Sequence, residues 1–250
     1  MSTAVQRRVA LMPWKDPLQA TIPEIRSGSL GAVYYGQRRS GDFYDFVSVP
    51  PQRVLFGLFD VAGDLEQARK ITASLQKKFR SLGAKLFEAE ETDEPNSLLK
   101  LWIEMNRAIL KYAGGVHACS AFIGCYDDVG GTVWYVNAGH IPALVRHKRQ
   151  IRQLEATALP FGLFAHSMPP AAALVAMNPG DALLLVSKGI VEANYRGEEY
   201  GLQRTAEYFN RSRFDSAHEV CVGLLDKLQQ FMHAAPTHND VTAIALVRPA

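Results

Sequence analysis

The chain has 250 residues and a net charge of +2, and it is 48% hydrophobic and 21% charged. These values are typical of a globular protein with a buried core, and they exclude disordered, collagen-like and coiled-coil chains. Its basic residues are interspersed with acidic ones, which argues against a nucleic-acid binder, whose basic residues cluster in one patch.

The first segment in chain order, residues 1–27, contains three prolines and is typical of an irregular lead-in. It lacks the apolar core of a signal peptide, and no apolar run approaches the ~20 residues that span a bilayer. The three cysteines form no Cys-x-x-Cys pair, which favours reduced thiols over disulfides or a zinc site. We therefore expect a cytoplasmic protein without a membrane segment, with a single domain over residues 28–250.

Three strands and two helices are predicted next. The strands are short β-branched and aromatic runs bounded by Gly, Pro and charged residues: LGAVYYGQ, YDFVSV and RVLFGLFDV. In the following 64–83 and 96–115 segments, apolar residues recur at helical spacing, and we interpret both stripes as packing faces. Asp64 is the predicted N-cap of the first helix, and Gly83 is its predicted stop.

A strand-rich stretch covers residues 118–187, and its turn signals predict an antiparallel meander. The basic run Arg146–Arg152 lies at one of these turns, and we interpret it as a solvated hairpin tip. Two helices, the second opening with a capping box at Ser216, and a last strand DVTAIALV complete the chain. This order predicts an α+β domain in which helix pairs pack on both outer faces of a β-sandwich.

Carboxylates gather at predicted strand ends and turns, at Asp42, Asp45, Asp60 and Asp240. Asp60 is the most informative, because it ends an apolar strand and precedes Gly63, where the backbone can approach a ligand closely. Each aspartate taken singly is more simply a turn or cap residue. Several of them together would form an oxygen-rich pocket suited to Mg²⁺ or Mn²⁺. Composition alone does not decide whether folding brings them together.

Seven blocks, in their order and spacing, resemble the SpoIIE/RsbU family of bacterial serine/threonine phosphatases, a branch of the PPM (protein phosphatase 2C-like) superfamily. The blocks are GDFYDF, FDVAG, YVNAGHIPALV, LPFGLF, NPGDALLLVSKGIVEA, EYGLQR and NDVTAIAL. The resemblance implies a four-layer α/β/β/α sandwich with two central antiparallel sheets and a dinuclear Mg²⁺/Mn²⁺ site at one end. It also implies hydrolysis of a phosphoserine or phosphothreonine by a metal-bound water.

Residue by residue, the resemblance assigns Asp60 to the aspartate that bridges both metals, and the carbonyl of Val61 to a main-chain ligand of the second metal. Asp42 matches the acidic residue that orders metal-bound waters. Bridging brings two cations close enough to acidify a shared water, and the pair neutralises charge on the phosphoryl oxygens. Asp42 and Asp60 are therefore the candidate catalytic residues, and Gly63 is adjacent to the site.

Two ligand positions depart from the family pattern. Where the family has Thr/Ser-Asp-Gly, this chain has Ser187-Lys188-Gly189, and where the family closes on Asp-Asp-x-Thr, this chain reads Asn239-Asp240-Val241-Thr242. Both carboxylates that would belong to the first metal alone are thus replaced. Consecutive strand residues point to opposite faces, so Asp240 cannot simply take over from Asn239.

The lysine changes the charge of the implied site. A lysine at a turn ordinarily extends into solvent, but Lys188 stands where the family has a ligand and can place its charge against Asp60 and Asp42 instead. With two carboxylates lost, we expect weak binding of one Mg²⁺ or Mn²⁺ ion or none, with Asp240 as a further candidate ligand. His140 is interpreted as structural. His238 could donate a nitrogen ligand to a remodelled site, although a lone histidine in a loop is more often simply exposed.

Two functional hypotheses remain, and the fold does not choose between them, because function belongs to the site. The first is an impaired or inactive member, a pseudophosphatase that binds its partner without hydrolysis. The second is an active phosphatase with a remodelled one-metal site that uses Asp42, Asp60 and Asp240. The resemblance implies the same partner for both, a phosphorylated anti-sigma-factor antagonist of the STAS fold. The sequence leaves a homodimer open, and we favour the impaired form.

Overall fold

The computed structural model describes residues 20–35, 41–63, 65–112, 118–165, 171–233, 235 and 239–250. The strands of this part are β1 (Ser29–Tyr35), β2 (Asp42–Val49), β3 (Arg53–Val61), β4 (Cys119–Asp127), β5 (Thr132–Ala138), β6 (Ala143–His147), β7 (Gln150–Leu154), β8 (Ala173–Ala176), β9 (Ala182–Val186), β10 (Asn194–Tyr195), β11 (Glu198–Glu199) and β12 (Val241–Val247). The helices are α1 (Leu65–Leu86), α2 (Glu94–Tyr112), α3 (Lys188–Val191), α4 (Gly201–Arg211) and α5 (Ala217–Phe231).

Ten of the described strands form two five-stranded antiparallel sheets, with the orders β1-β12-β9-β6-β7 and β2-β3-β4-β5-β8. The first strand pairs with the last, so that Ser29 lies opposite Val247. The predicted meander is wrong, because β6, β7 and β9 belong to one sheet while β4, β5 and β8 belong to the other. Turn signals report local hairpins only, and contacts distant in sequence decide which sheet each hairpin joins.

The two sheets pack face to face, and side chains of the central strands alternate between two cores. In β3, Phe56 and Leu58 enter the core between the sheets, whereas Leu55 and Phe59 enter the core beneath α1 and α2. Strands β9 and β12 alternate in the same way between the central core and a third core beneath α4 and α5. The result is the predicted α+β architecture of four layers, α/β/β/α.

The helix ends test the local predictions. The N-cap of α5 is confirmed, because Ser216 Oγ accepts a hydrogen bond from the Glu219 N–H at 3.3 Å. The reciprocal bond of the capping box is shifted by one residue, since Glu219 Oε2 accepts from the Asp215 N–H at 3.0 Å. Gly83 does not stop α1, which continues to Leu86. An added Cβ at Gly83 would stand 2.5 Å from Leu55 Cδ2, so this glycine serves close packing of the helix on the sheet. The predicted N-cap Asp64 lies outside the described residues.

The segment before β1 contains neither helix nor strand over residues 20–28, and residues 1–19 of the predicted lead-in lie outside the described part. The described helices include none that is both long and apolar enough to cross a membrane.

The basic run forms the β6–β7 hairpin, with Lys148 and Arg149 exposed at its turn. Its first residue departs from the prediction of a solvated tip. Arg146 Nη1 donates hydrogen bonds to the carbonyls of Phe209 at 3.1 Å and Ser212 at 2.8 Å. The hairpin therefore docks through Arg146 against the end of α4 rather than standing free in solvent.

Candidate functional site at one end of the sandwich

Strand ends from both sheets meet at one end of the sandwich. Asp42 begins β2 and lies directly opposite Asp60, the penultimate residue of β3. In the other sheet, β9 ends where its antiparallel neighbour β12 begins. Lys188 follows β9 and Asp240 precedes β12, so both lie at this same end. The fold thus brings together four of the charged positions that the sequence singled out: Asp42, Asp60, Lys188 and Asp240.

The lysine makes a direct ion pair with the aspartate that the resemblance assigns to metal bridging. Lys188 Nζ lies 2.9 Å from Asp60 Oδ2, and the two side chains are 48% and 14% exposed. Burial lowers the pKa of Lys188, but the hydrogen bond to Asp60 and nearby negative charges outweigh it, so the pKa lies above its ordinary value. Lys188 therefore remains a cation and links one sheet to the other.

Asp42 faces the same group of charged residues, and its carboxyl group ionises less readily than an exposed aspartate. Burial raises the pKa of Asp42 well above its ordinary value, and the negative charges of Asp60 and Asp240 raise it further. Hydrogen bonds from Ser187 and Thr242 act in the opposite direction without cancelling the rise. Thr242 Oγ1 lies 3.5 Å from Asp42 Oδ2, which is the weak end of hydrogen bonding.

Asn239 and Asp240 are consecutive residues just before β12, and they differ in burial. Asn239 is exposed, whereas Asp240 is only 1% exposed and its charge acts on Asp42. The asparagine, at the position where the resemblance implies a ligand, lies at the surface, and the carboxylate beside it is buried.

Glycines allow the backbone segments of this region to approach closely. A Cβ at Gly189 would stand 1.9 Å from the carbonyl oxygen of Asp240, so the residue after Lys188 must be glycine for β9 and β12 to meet as they do. Likewise, a Cβ at Gly41 would stand 2.1 Å from the carbonyl oxygen of Val61. Gly63 adopts a φ of +137°, which favours glycine.

Asp45 does not belong to this group. It is fully buried within β2, and its Oδ1 accepts a hydrogen bond from Arg80 Nη2 at 2.9 Å. Its carboxylate therefore pairs with α1 instead of pointing to the strand ends. His238 and Asp64 lie outside the described residues.

Four further residues surround the cluster without having been assigned roles there from sequence: Ser187, Thr242, Cys119 and His140. Ser187 Oγ accepts a hydrogen bond from the Thr242 N–H at 3.0 Å, which ties β9 to β12. Burial raises the pKa of Cys119 well above its ordinary value, and the charge of Asp60 adds to that rise. Cys119 lies next to the site because it pairs with Val61 across β3 and β4. This position could be found only from the register of the two strands, which the sequence alone does not give.

The arrangement does not fit the dinuclear metal centre that the resemblance implies. Among the described residues, no group of three or more His, Cys, Asp or Glu side chains is placed to hold a metal ion. One oxygen of Asp60 is taken by an ammonium group, which is a donor and cannot ligate a cation. As it stands, the cluster is a cation-carboxylate network, and we derive no chemical step through a metal.

Solved structures share this fold at low sequence identity. The RsbU and RsbW domains of Rv1364c from Mycobacterium tuberculosis match with a TM-score of 0.73 and 20% identity, over 92% of this chain and 63% of that one. The PP2C phosphatase domain with a regulatory fragment of SpoIIE from Bacillus subtilis matches with a TM-score of 0.70 and 16% identity, over 90% and 64%. The fold is therefore that of the PP2C-like phosphatases.

The family follows from the sequence. The family model for Stage II sporulation protein E (SpoIIE) matches residues 50–249. The chain belongs to the SpoIIE family and is a SpoIIE/RsbU-type phosphatase domain of the PPM superfamily. A curated relative, protein IcfG from Synechocystis sp., is 24% identical over 92% of this chain and 39% of its own length. The chain thus spans well under half of that protein.

Proposed function

We propose that this domain acts in bacterial cytoplasmic signalling with hydrolytic activity that is impaired or lost. The observation that carries the proposal is the ion pair between Lys188 Nζ and Asp60 Oδ2 at 2.9 Å. A PPM phosphatase needs a divalent cation beside this aspartate, and the chain supplies an ammonium group of its own at that place.

Electrostatics set the size of the conflict. A divalent cation about 4 Å from an ammonium group is repelled by roughly 8 kcal/mol at an effective dielectric of about 20. Neighbouring carboxylates offset part of this, but the raised pKa of Asp42 reduces its share of the negative charge. Asn239, the second replaced position, is neutral and exposed. Lysine and first metal therefore exclude each other, and weak binding of one Mg²⁺ or Mn²⁺ ion is the most that we propose.

The proposed partner is a phosphorylated regulatory protein of the anti-sigma-antagonist, STAS-fold kind. Support comes from the family and from solved relatives described as RsbU and RsbW domains or as a cell fate determinant. A domain that keeps the fold and has lost metal binding would still present the surface that recognises such a partner. Recognition without hydrolysis is then its contribution to signalling.

A second candidate function is an active phosphatase with a remodelled one-metal site. One observation favours it: Asp240 is turned inward and its charge acts on Asp42, which faces Asp60 across the sheet. If the half-exposed side chain of Lys188 moved into solvent, the carboxylates of Asp42, Asp60 and Asp240 would remain near one another. In this reading, Lys188 competes with the metal instead of replacing it.

Calorimetric titration with Mn²⁺, combined with hydrolysis of a phosphoserine peptide, tests the proposal. We expect weak or absent Mn²⁺ binding and little turnover in the parent, and stronger binding in the Lys188→Asp, Asn239→Asp double variant. The control is Lys100→Asp with Gln153→Glu, which makes the same change in net charge at exposed positions. Robust Mn²⁺-dependent turnover by the parent would refute the impaired form and support the one-metal enzyme. A double variant that binds metal no better than the control would show that these are not the ligand positions.

A further inference from the structure

A recess of about 370 Å³ lies between the β6–β7 hairpin and the segment that joins α4 to α5. We call it the hairpin pocket and define it by Arg146, Lys148, Arg149, Arg211, Arg213 and Phe214. It is formed by parts of the chain that are about sixty residues apart in sequence, so the cationic side chains converge only in the folded protein. The sequence showed the hairpin run alone.

The charge of the hairpin pocket is concentrated and largely uncompensated. Its lining holds five cationic side chains and one carboxylate, Asp215, which leaves a local net charge of +4 in a chain whose total is +2. In the part of the chain that the structure describes, the four exposed cations make no ion pair: Lys148, Arg149, Arg211 and Arg213. The nearby carboxylate of Asp181 is already bound by His147 Nδ1 at 2.7 Å.

Arg146 is fixed at the base of the hairpin pocket. Its two carbonyl acceptors are at the end of α4 and just beyond it, and its guanidinium carbon lies 3.9 Å from the ring centre of Phe214. A guanidinium that stacks on an aromatic ring loses little freedom when an anion binds. The turn residues Lys148 and Arg149 both have positive φ, at 44° and 63°. Asparagine and glycine would fit such a turn with less strain.

The hairpin pocket is far from the group formed by Asp42, Asp60, Lys188 and Asp240, which we call the Asp60 cluster. Arg146 pairs with Ala182 at the start of β9, whereas Lys188 follows the opposite end of that strand. With about 3.3 Å per strand residue, the two places are separated by roughly 15 Å or more along β9. The hairpin pocket is therefore a separate site, and its proposed role is independent of whether the Asp60 cluster hydrolyses anything.

We propose that the hairpin pocket binds a small, multiply charged anion bearing phosphate groups, such as a diphosphate or a compact phosphate ester. The guanidinium group of arginine can donate two parallel hydrogen bonds to two phosphate oxygens, and exposed guanidinium groups are available at Arg149, Arg211 and Arg213. The volume is at the low end of small-molecule sites, which are roughly 300–1,000 Å³, so it suits a compact ligand better than an extended protein segment.

Calorimetry at constant ionic strength, in metal-free buffer, tests this site with pyrophosphate as the probe. We expect the parent protein to bind pyrophosphate and the Arg149→Glu, Arg213→Glu variant to lose at least about tenfold in affinity, since it loses two donors of charge-assisted hydrogen bonds and gains two negative charges. Both side chains are exposed, and a thermal unfolding curve checks that the variant still folds. The matched control is Lys100→Glu with Lys227→Glu, two exposed lysines outside the hairpin pocket, and it should bind like the parent.

Four results would overturn the proposal, three from the titrations above and one from a further variant. One is a parent that does not bind pyrophosphate, and another is an equal loss in the control variant, which would mean a general charge effect. The third is a phosphoserine peptide that binds while pyrophosphate does not, which would assign the surface to a protein partner. The Lys188→Asp variant should bind pyrophosphate as the parent does, and a loss there would move the site to the Asp60 cluster.

Discussion

His140 shows how the surroundings of the Asp60 cluster control protonation. Its side chain is buried, and burial lowers its pKa to about 4, with the hydrogen-bonded carbonyl of Ile141 and the charge of Asp60 only partly opposing this. Nδ1 lies 3.2 Å from that carbonyl oxygen, and Nε2 has no hydrogen-bond partner among the described residues. The imidazole is thus neutral at physiological pH, and the structural role inferred from the sequence stays a prediction.

The neutral histidine predicts a specific pH dependence of stability. Its folded pKa of about 4 lies below its ordinary value of 6.5, so the unfolded chain takes up a proton first as the pH falls. The stabilisation is complete above pH 6.5 and is lost toward pH 4, with about 2 kcal/mol lost between pH 7 and pH 5. Urea unfolding at both pH values should show this loss in the parent and not in His140→Gln. Equal losses in both proteins would contradict the prediction.

Sequence reasoning reached some site residues and not others, for physical reasons. Asp60 and Lys188 were foreseeable as neighbours because a family pattern aligned the ends of their strands. From the sequence, Asp45 could not be distinguished from Asp42 as a site residue. Asp45 is excluded by its contact with Arg80, which lies 35 residues further along the chain. Side-chain pairing across elements depends on register and rotamer, which a linear pattern does not contain.

At the scale of elements, the strand ends of the site depend on glycine. The backbone of Gly189 meets the carbonyl of Asp240, a group that cannot rotate away without moving β12. Gly83 makes a comparable approach on α1, but its neighbour is the terminal methyl of Leu55. Rigid and flexible neighbours should respond differently to the same added methyl group.

We therefore expect Gly189→Ala to lower the free energy of unfolding by at least about 2 kcal/mol, because backbone must shift to accept it. Gly83→Ala is the matched comparison, and the better helix propensity of alanine returns about 1 kcal/mol there. Urea denaturation of both variants measures the difference. A Gly189→Ala protein as stable as Gly83→Ala would show that β9 and β12 are not held as closely as described.

The arrangement of elements was predictable in part. The period of two in strands and the helical stripes located most elements, and the order of strands and helix pairs indicated the layered architecture. Sheet membership was not predictable from local signals, since Ser29 and Val247 are neighbours from opposite ends of the chain. Chain reversals such as the one after β5 obey the same turn chemistry whether the next strand joins the same sheet or the facing one.

At the scale of the whole molecule, all three cysteines are free and lie in the helix-covered cores, with relative exposures of 0–2%. Cys119 and Cys125 belong to the core beneath α1 and α2, and Cys221 belongs to the core beneath α4 and α5. Burial raises the pKa of Cys125 and of Cys221 to about 12, so neither forms the reactive thiolate at neutral pH.

We expect the native protein to be unreactive toward a thiol reagent such as Ellman's reagent, and three thiols to react together when urea unfolds it. The physical reason is that reaching any of them requires separating a helix layer from a sheet. The number of thiols modified against time measures this, and urea-unfolded protein gives the full count. Early reaction of Cys119 alone would contradict the expectation and would indicate that the Asp60 end opens independently.

The link between Asp60 and Lys188 has a consequence for how this end of the molecule meets its surroundings. A metal ion occupies a site in proportion to its free concentration, so a metal-linked sandwich responds to the ionic medium. A charge carried on the chain has an effective local concentration on the order of millimolar or more that no chelator changes. If the domain has the impaired site that we propose, the junction between the two sheets is fixed by the sequence, and we expect it to keep the same form at high and at low magnesium concentration.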